Sequence, residues 1–139
     1  MDIGRRFRGG FTILDLSGRF VVSAGESEIL PFRSAIRALI SEGRVLIALN
    51  LAALTSIDAR GLGELVFTRA VLRSHGGDLT LVQPCATVRK LLVVTRLDKI
   101  FYMFDSELAA SHASSAMEDA SVVASEIAQA LKYPALQTL

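Results

Sequence analysis

The chain holds one cysteine, two histidines and no tryptophan in 139 residues. One thiol excludes an intramolecular disulfide framework and any multi-cysteine zinc site. Two histidines leave a histidine-rich metal centre without ligands, so neither a metal nor a cofactor is expected. Aromatic residues make up only 6%, which supplies few platforms for stacking bases or sugars. Neither sign of charge dominates: 15 Lys and Arg face 14 Asp and Glu, for a formal charge of +1. There is thus no basic excess of the kind that grips nucleic acid, and no nucleic-acid partner is expected. Long apolar runs are missing too. The longest, VLIALNLAALTSI, has about a dozen residues and contains Asn50, against the ~20 that a spanning helix needs. Arg5, Arg6 and Arg8 are followed by no apolar stretch, so the N-terminus does not read as a secretory leader. The expectation is a cytoplasmic protein without membrane insertion. Residues 1–9 read as a basic arm, either solvated and frayed or touching an acidic partner or membrane surface.

What is present is core-forming material. Hydrophobic residues are 51% and charged residues 21%, in a length that suits one domain. Residues 11–17 alternate as a strand does, and Phe20, Val21 and Val22 begin another after Ser17-Gly18, which reads as a hairpin turn. Ser27 stands as a helix N-cap ahead of Pro31, and Ile29, Phe32, Ile36, Leu39 and Ile40 follow at helical spacing up to Gly43. Residues 45–49 form an unbroken apolar run, the mark of a strand covered on both faces. A helix over 59–74, a strand at 79–82, a short helix at 87–96 and a strand at 100–104 complete the alternation. From Glu107 an Ala-rich helical tail follows, most regular from Met117 to Leu131. Alternating helices and buried strands predict an α/β fold with a mostly parallel mixed sheet of four to five strands and about four helices. The domain is expected over 10–111, with the tail at 112–139.

The segment 49–63, LNLAALTSIDARGLG, carries the most information. Asp58 is a helix N-cap candidate whose carboxylate can accept from the free N–H groups of the first turn. Gly61 and Gly63 lie just inside that helix, where glycine is a poor helix former. Either the helix packs closely on the sheet, or another molecule's backbone approaches the tip. A helix N-terminus also attracts anions, so a phosphate site is a further reading.

This strand-loop-IDARGLGEL segment resembles the signature of the STAS domain, in which Asp-Ser-Ser/Thr-Gly-Leu-Gly opens a helix. FTILDLSGRF resembles that domain's opening hairpin, HGGDLTLVQP its fourth strand, and VRKLLVVTRLDKIFYMFDS its third helix and last strand. The resemblance covers roughly 10–110. It implies a docking domain of the bacterial anti-sigma factor antagonist type, which binds a kinase-type anti-sigma factor and is switched off by serine phosphorylation at the helix tip. Asp58, Gly61, Leu62 and Gly63 match the motif. The acceptor position, directly before the first glycine, is Arg60, and Ala59 precedes it; neither carries a hydroxyl. Asn50 stands where an Asp is common. Ser56, in the expected loop, is either a substitute acceptor or a loop hydrogen-bonding group. The resemblance implies a partner-binding surface of Gly25, Glu26, Ser27, Ser56, Asp58, Ala59, Arg60, Gly61, Leu62, Gly63, Glu64 and Phe67, with no phosphorylation at the tip.

Projected on a helix, Leu62, Leu65, Val66, Leu72 and the stem of Arg69 form the core face. Arg60, Glu64, Phe67 and Val71 form the opposite stripe. Arg60 opposes the helix dipole; it either pairs with Asp58 or Glu64 or meets an acidic group on a partner. The tail's stripe of Ala116, Ala120, Val123, Ile127 and Leu131 can cover Phe67 and Val71, pack elsewhere on the domain, bind a second chain, or stay unstructured. His75 and His112 lack a nucleophile motif, so no enzyme is expected. The competing readings are a cytoplasmic subunit of a lipid-transport or stress-signalling assembly, and a nucleotide or anion sensor. A homodimer is also open.

Overall fold

The computed structural model describes residues 1–22 and 29–111. Its elements are β1 (Asp2–Arg8), β2 (Phe11–Phe20), α1 (Leu30–Ser41), β3 (Leu46–Ile57), α2 (Ala59–Ser74), β4 (Asp78–Val82), α3 (Ala86–Val94), a 3-10 turn (Leu97–Lys99) and β5 (Tyr102–Phe104). The five strands form one sheet in the order β1-β2-β3-β4-β5. β1 runs antiparallel to β2, and the remaining pairs are parallel. The expected mixed, mostly parallel sheet is therefore observed.

Residues 2–8 are not a frayed arm. They pair with β2 from Asp2↔Ser17 to Arg8↔Phe11. The arginines tolerate this because each finds a carboxylate: Arg5 pairs with Glu42, Arg6 with Asp15 and Glu107, and Arg8 with Glu107. The hairpin turn is Gly9-Gly10, with φ of 55° and 87°, the left-handed pair that a two-residue turn demands. Ser17-Gly18 is not a turn. β2 runs through it with a shift in register, and Gly18 at φ 91° serves an irregularity within the strand.

β3 is longer than expected. Beyond Asn50, where β4 ends, it continues beside β2 to Phe20↔Ile57. Leu51, Leu54 and Ile57 point into the core from this extension, so Thr55 and Ser56 belong to a strand and not to a loop. α1 opens at Leu30 with Ile29 in the cap position and Pro31 in the first turn, later than the Ser27 cap expected from sequence. Ser27 itself lies outside the described residues.

α1, α2 and α3 each link neighbouring parallel strands, and right-handed crossovers stepping one way put these three helices on one face. Leu39, Leu62, Leu65, Leu72, Val88 and Leu92 accordingly share one core with Leu14, Leu16, Leu49, Leu51, Leu79 and Leu81. The other face carries a smaller cluster of Phe11, Ile13, Ala48 and Val82, closed by Ala110. Ala110 belongs to a helical segment at 107–111. Its Glu107 accepts from Asn50 at 2.7 Å and from Arg6 at 2.5 and 3.0 Å. The tail thus begins on the sheet face opposite α2, away from Phe67 and Val71. Residues 112–139, with the stripe expected to be amphipathic, lie outside the described residues.

Candidate docking site

The extension of β3 along β2 brings Asp58 beside Phe20, whose carbonyl accepts from the Asp58 N–H at 3.2 Å. Asp58 leaves the strand in an extended conformation (φ −98°, ψ 177°) and caps α2. Its Oδ1 accepts from the Gly61 N–H at 2.8 Å and from the Val22 N–H at 3.3 Å. One carboxylate therefore fastens two things, the first turn of α2 and the end of the segment leading into residues 23–28. Gly25, Glu26 and Ser27 lie outside the described residues, but Val22 is their described N-terminal approach.

The two glycines of the motif separate. A Cβ on Gly61 would lie 2.8 Å from Ile57 Cγ1, 2.8 Å from the Phe20 carbonyl oxygen and 2.9 Å from Phe20 Cδ1. Close packing on the strands accounts for Gly61. A Cβ on Gly63 would meet nothing within 4 Å, and the residue is exposed. Packing within the chain does not require it.

The expected stripe of Arg60, Glu64, Phe67 and Val71 is only partly formed. Glu64 is buried, 7% exposed. It receives the fork of Arg33 from α1, Nε to Oε1 at 2.8 Å and Nη2 to Oε2 at 3.1 Å. The bidentate guanidinium satisfies the carboxylate and ties α1 to α2. Arg60 pairs with neither Asp58 nor Glu64; it is exposed and has no partner among the described residues. Phe67 is 61% exposed, and Val71 is half-buried. The outward line of α2 is therefore Ala59, Arg60, Gly63, Phe67 and Ala70. It is an aromatic ring standing among small residues, with the cation of Arg60 at the helix tip. The core face is as expected, with Leu62, Leu65 and Leu72 buried and Val66 partly so.

Arg69 is 4% exposed with Nε 3.2 Å from Asp78 Oδ1. Burial pushes its pKa down against the pull of Asp78. It supports the far end of α2 and does not reach the tip. Ser56 faces away from α2: its hydroxyl accepts from Arg19 Nε at 3.2 Å across the β2–β3 pair. One contributor, Arg33, was missed by sequence reasoning. Arg33, on α1, is the partner of Glu64. A helical projection of single elements carries no signal for a pairing between two helices. Among the described residues no group of three His, Cys, Asp or Glu side chains is placed to hold a metal ion. No described helix is long and apolar enough to cross a membrane.

The α2 tip, capped by Asp58 and carrying the exposed Phe67, is set on a five-stranded mixed α/β sheet. The STAS domain profile matches residues 5–110, and the chain belongs to that family. A putative anti-sigma factor antagonist from Thermotoga maritima is 25% identical over 84% of this chain and 92% of its own, with a TM-score of 0.66. An anti-sigma factor antagonist from Mycobacterium paratuberculosis is 21% identical over 81% and 92%, with a TM-score of 0.66. The Bacillus cell fate determinant SpoIIAA in its phosphorylated form is 21% identical over 78% and 96%, with a TM-score of 0.60. The latter two share the fold. No curated protein sequence matches the chain.

Proposed function

We propose that this STAS domain is a cytoplasmic anti-sigma factor antagonist that acts by docking and not by catalysis. Its partner is a kinase-type anti-sigma factor, and the docking surface is the α2 tip, residues 58–67, together with Gly25, Glu26 and Ser27, which lie outside the described residues. Binding there displaces the sigma factor by competition. The observation that carries the reading is Phe67, a large apolar side chain left in solvent between Gly63 and Ala70. Aromatic anchors with a polar rim are the usual centres of interfaces. Arg60 adds to it. A cation in the first turn costs about 0.3–1 kcal/mol against the helix dipole, and no partner among the described residues offsets that cost.

Phosphorylation does not switch this tip, because Ala59 and Arg60 lack an acceptor oxygen. Calorimetric titration of the chain into a purified kinase-type anti-sigma factor, with ADP and with ATP, tests the whole reading. Binding should occur with either nucleotide, and Phe67→Ala should weaken it by more than about 1 kcal/mol. Mass spectrometry after incubation with ATP should find no phosphate at 58–67. No binding, or stoichiometric phosphate on Ser56 coupled to release, would refute it.

A further inference from the structure

β1 is hydrogen-bonded on one side only among the described residues, and its seven residues are exposed apart from half-buried Ile3. An edge of this length is a template for another strand. Strand alternation puts Ile3, Arg5 and Phe7 on the helical side of the sheet. Ile3 packs against the main core. Phe7 is 55% exposed, with the Arg44 guanidinium 4.2 Å and that of Arg5 5.2 Å from its ring centre. Between β1 and α1 lies an open groove of about 500 Å³, floored by Ile3, Leu14, Pro31, Ala35 and Ala38. One edge thus carries both an apolar groove and, four residues along the same face, an aromatic ring in solvent.

We propose that this edge pairs with the β1 edge of a second copy of the chain, antiparallel about a two-fold axis at Arg5. That register sets Asp2 opposite Arg8 of the second copy, and Ile3 opposite its Phe7. Gly4 comes opposite its Arg6. Opposite charges meet at both ends. Each Phe7 arrives beside the other copy's Ile3, at the mouth of its groove, and Gly4 leaves room for the long arginine. Directly opposed residues on antiparallel strands share a face and interact, and a two-fold contact needs a patch complementary to itself. Only Arg5 meets its own kind, and Glu42 pairs with it in each copy. The α2 tip takes no part, so this pairing stands independently of docking.

Sedimentation velocity on the full chain, across a concentration series from micromolar to millimolar, should show reversible dimers. Phe7→Glu should weaken association by about tenfold or more while leaving the circular dichroism spectrum and urea midpoint near wild type, because the side chain is mostly exposed. In a Cys85→Ser background, Arg5→Cys should form a disulfide-linked dimer on mild oxidation, since opposed Cα atoms on paired strands lie at about 4.5–5.5 Å. Tyr102→Cys, on the opposite edge strand, should not. A chain that stays monomeric with no Arg5→Cys crosslink overturns the proposal. So does a dimer that Phe7→Glu leaves intact and that crosslinks at 102 instead of 5.

Discussion

The motif glycines should respond to the same substitution with opposite signs. Gly61→Ala places a methyl 2.8 Å from the Phe20 carbonyl oxygen and 2.8 Å from Ile57 Cγ1. The carbonyl oxygen is backbone in a paired strand and cannot rotate away, so either α2 lifts or the strand end shifts. Overpacking of this kind costs about 1–3 kcal/mol. Alanine's better helix propensity returns at most about 1 kcal/mol, and less near the N-terminus, leaving a net loss of about 1–2 kcal/mol. Gly63→Ala adds a methyl in open solvent. It gains helix propensity and narrows the unfolded ensemble, so stability should rise by about 0.5–1 kcal/mol. Urea unfolding of the two variants beside the parent chain measures both. At the proposed docking surface the order inverts: the methyl added by Gly63→Ala stands on the exposed line beside Phe67, so this more stable variant should bind an anti-sigma factor less well. A Gly63→Ala variant that is destabilised, or a Gly61→Ala variant that is stabilised, would refute the packing argument. Unimpaired binding by Gly63→Ala would remove Gly63 from the interface.

Asp58→Ala removes the hydrogen bonds that its carboxylate accepts from Gly61 and Val22. It should cost about 0.5–2 kcal/mol in urea melts and loosen the first turn of α2. Arg33→Ala leaves the buried Glu64 carboxylate without its fork. Arg33 is about half exposed, so the loss should be about 1–3 kcal/mol, with much of it recovered by adding Glu64→Gln. Glu107 is held below the usual carboxylate range, first by its hydrogen bonds to Arg6 and next by Asn50, against the opposing effect of burial. A depressed carboxylate contributes stability above its unfolded pKa, near 4.5, and loses that contribution as pH falls through the folded value. Melting midpoints should therefore drop below about pH 4.5 more steeply for the parent chain than for Glu107→Gln, whose side chain does not ionise.

Local chemistry determined the parts of this protein that depend on neighbours in sequence. The α2 boundaries, the Asp58 cap and the buried side of Leu62, Leu65 and Leu72 follow from capping and from a helical period, which act over a few residues. The α/β class follows from apolar strands alternating with such helices. Tertiary structure decided whatever depends on residues far apart. Arginines at 5, 6 and 8 form a strand because Glu42, Asp15 and Glu107 stand within reach. Glycine at positive φ serves a turn or a bulge alike, so only strand pairing could make 9–10 the turn and Gly18 the irregularity. The strand 50–57 exists because β2 continues beside it, and that continuation sets Asp58 against Phe20. Glu64 went to Arg33, 31 residues away, instead of Arg60 four residues before it. Asn50 faces Glu107, where an aspartate would set two carboxylates together. Sequence spacing specifies which groups one element can offer; which of them meet, and which remain in solvent to bind something else, is fixed only when the elements are packed.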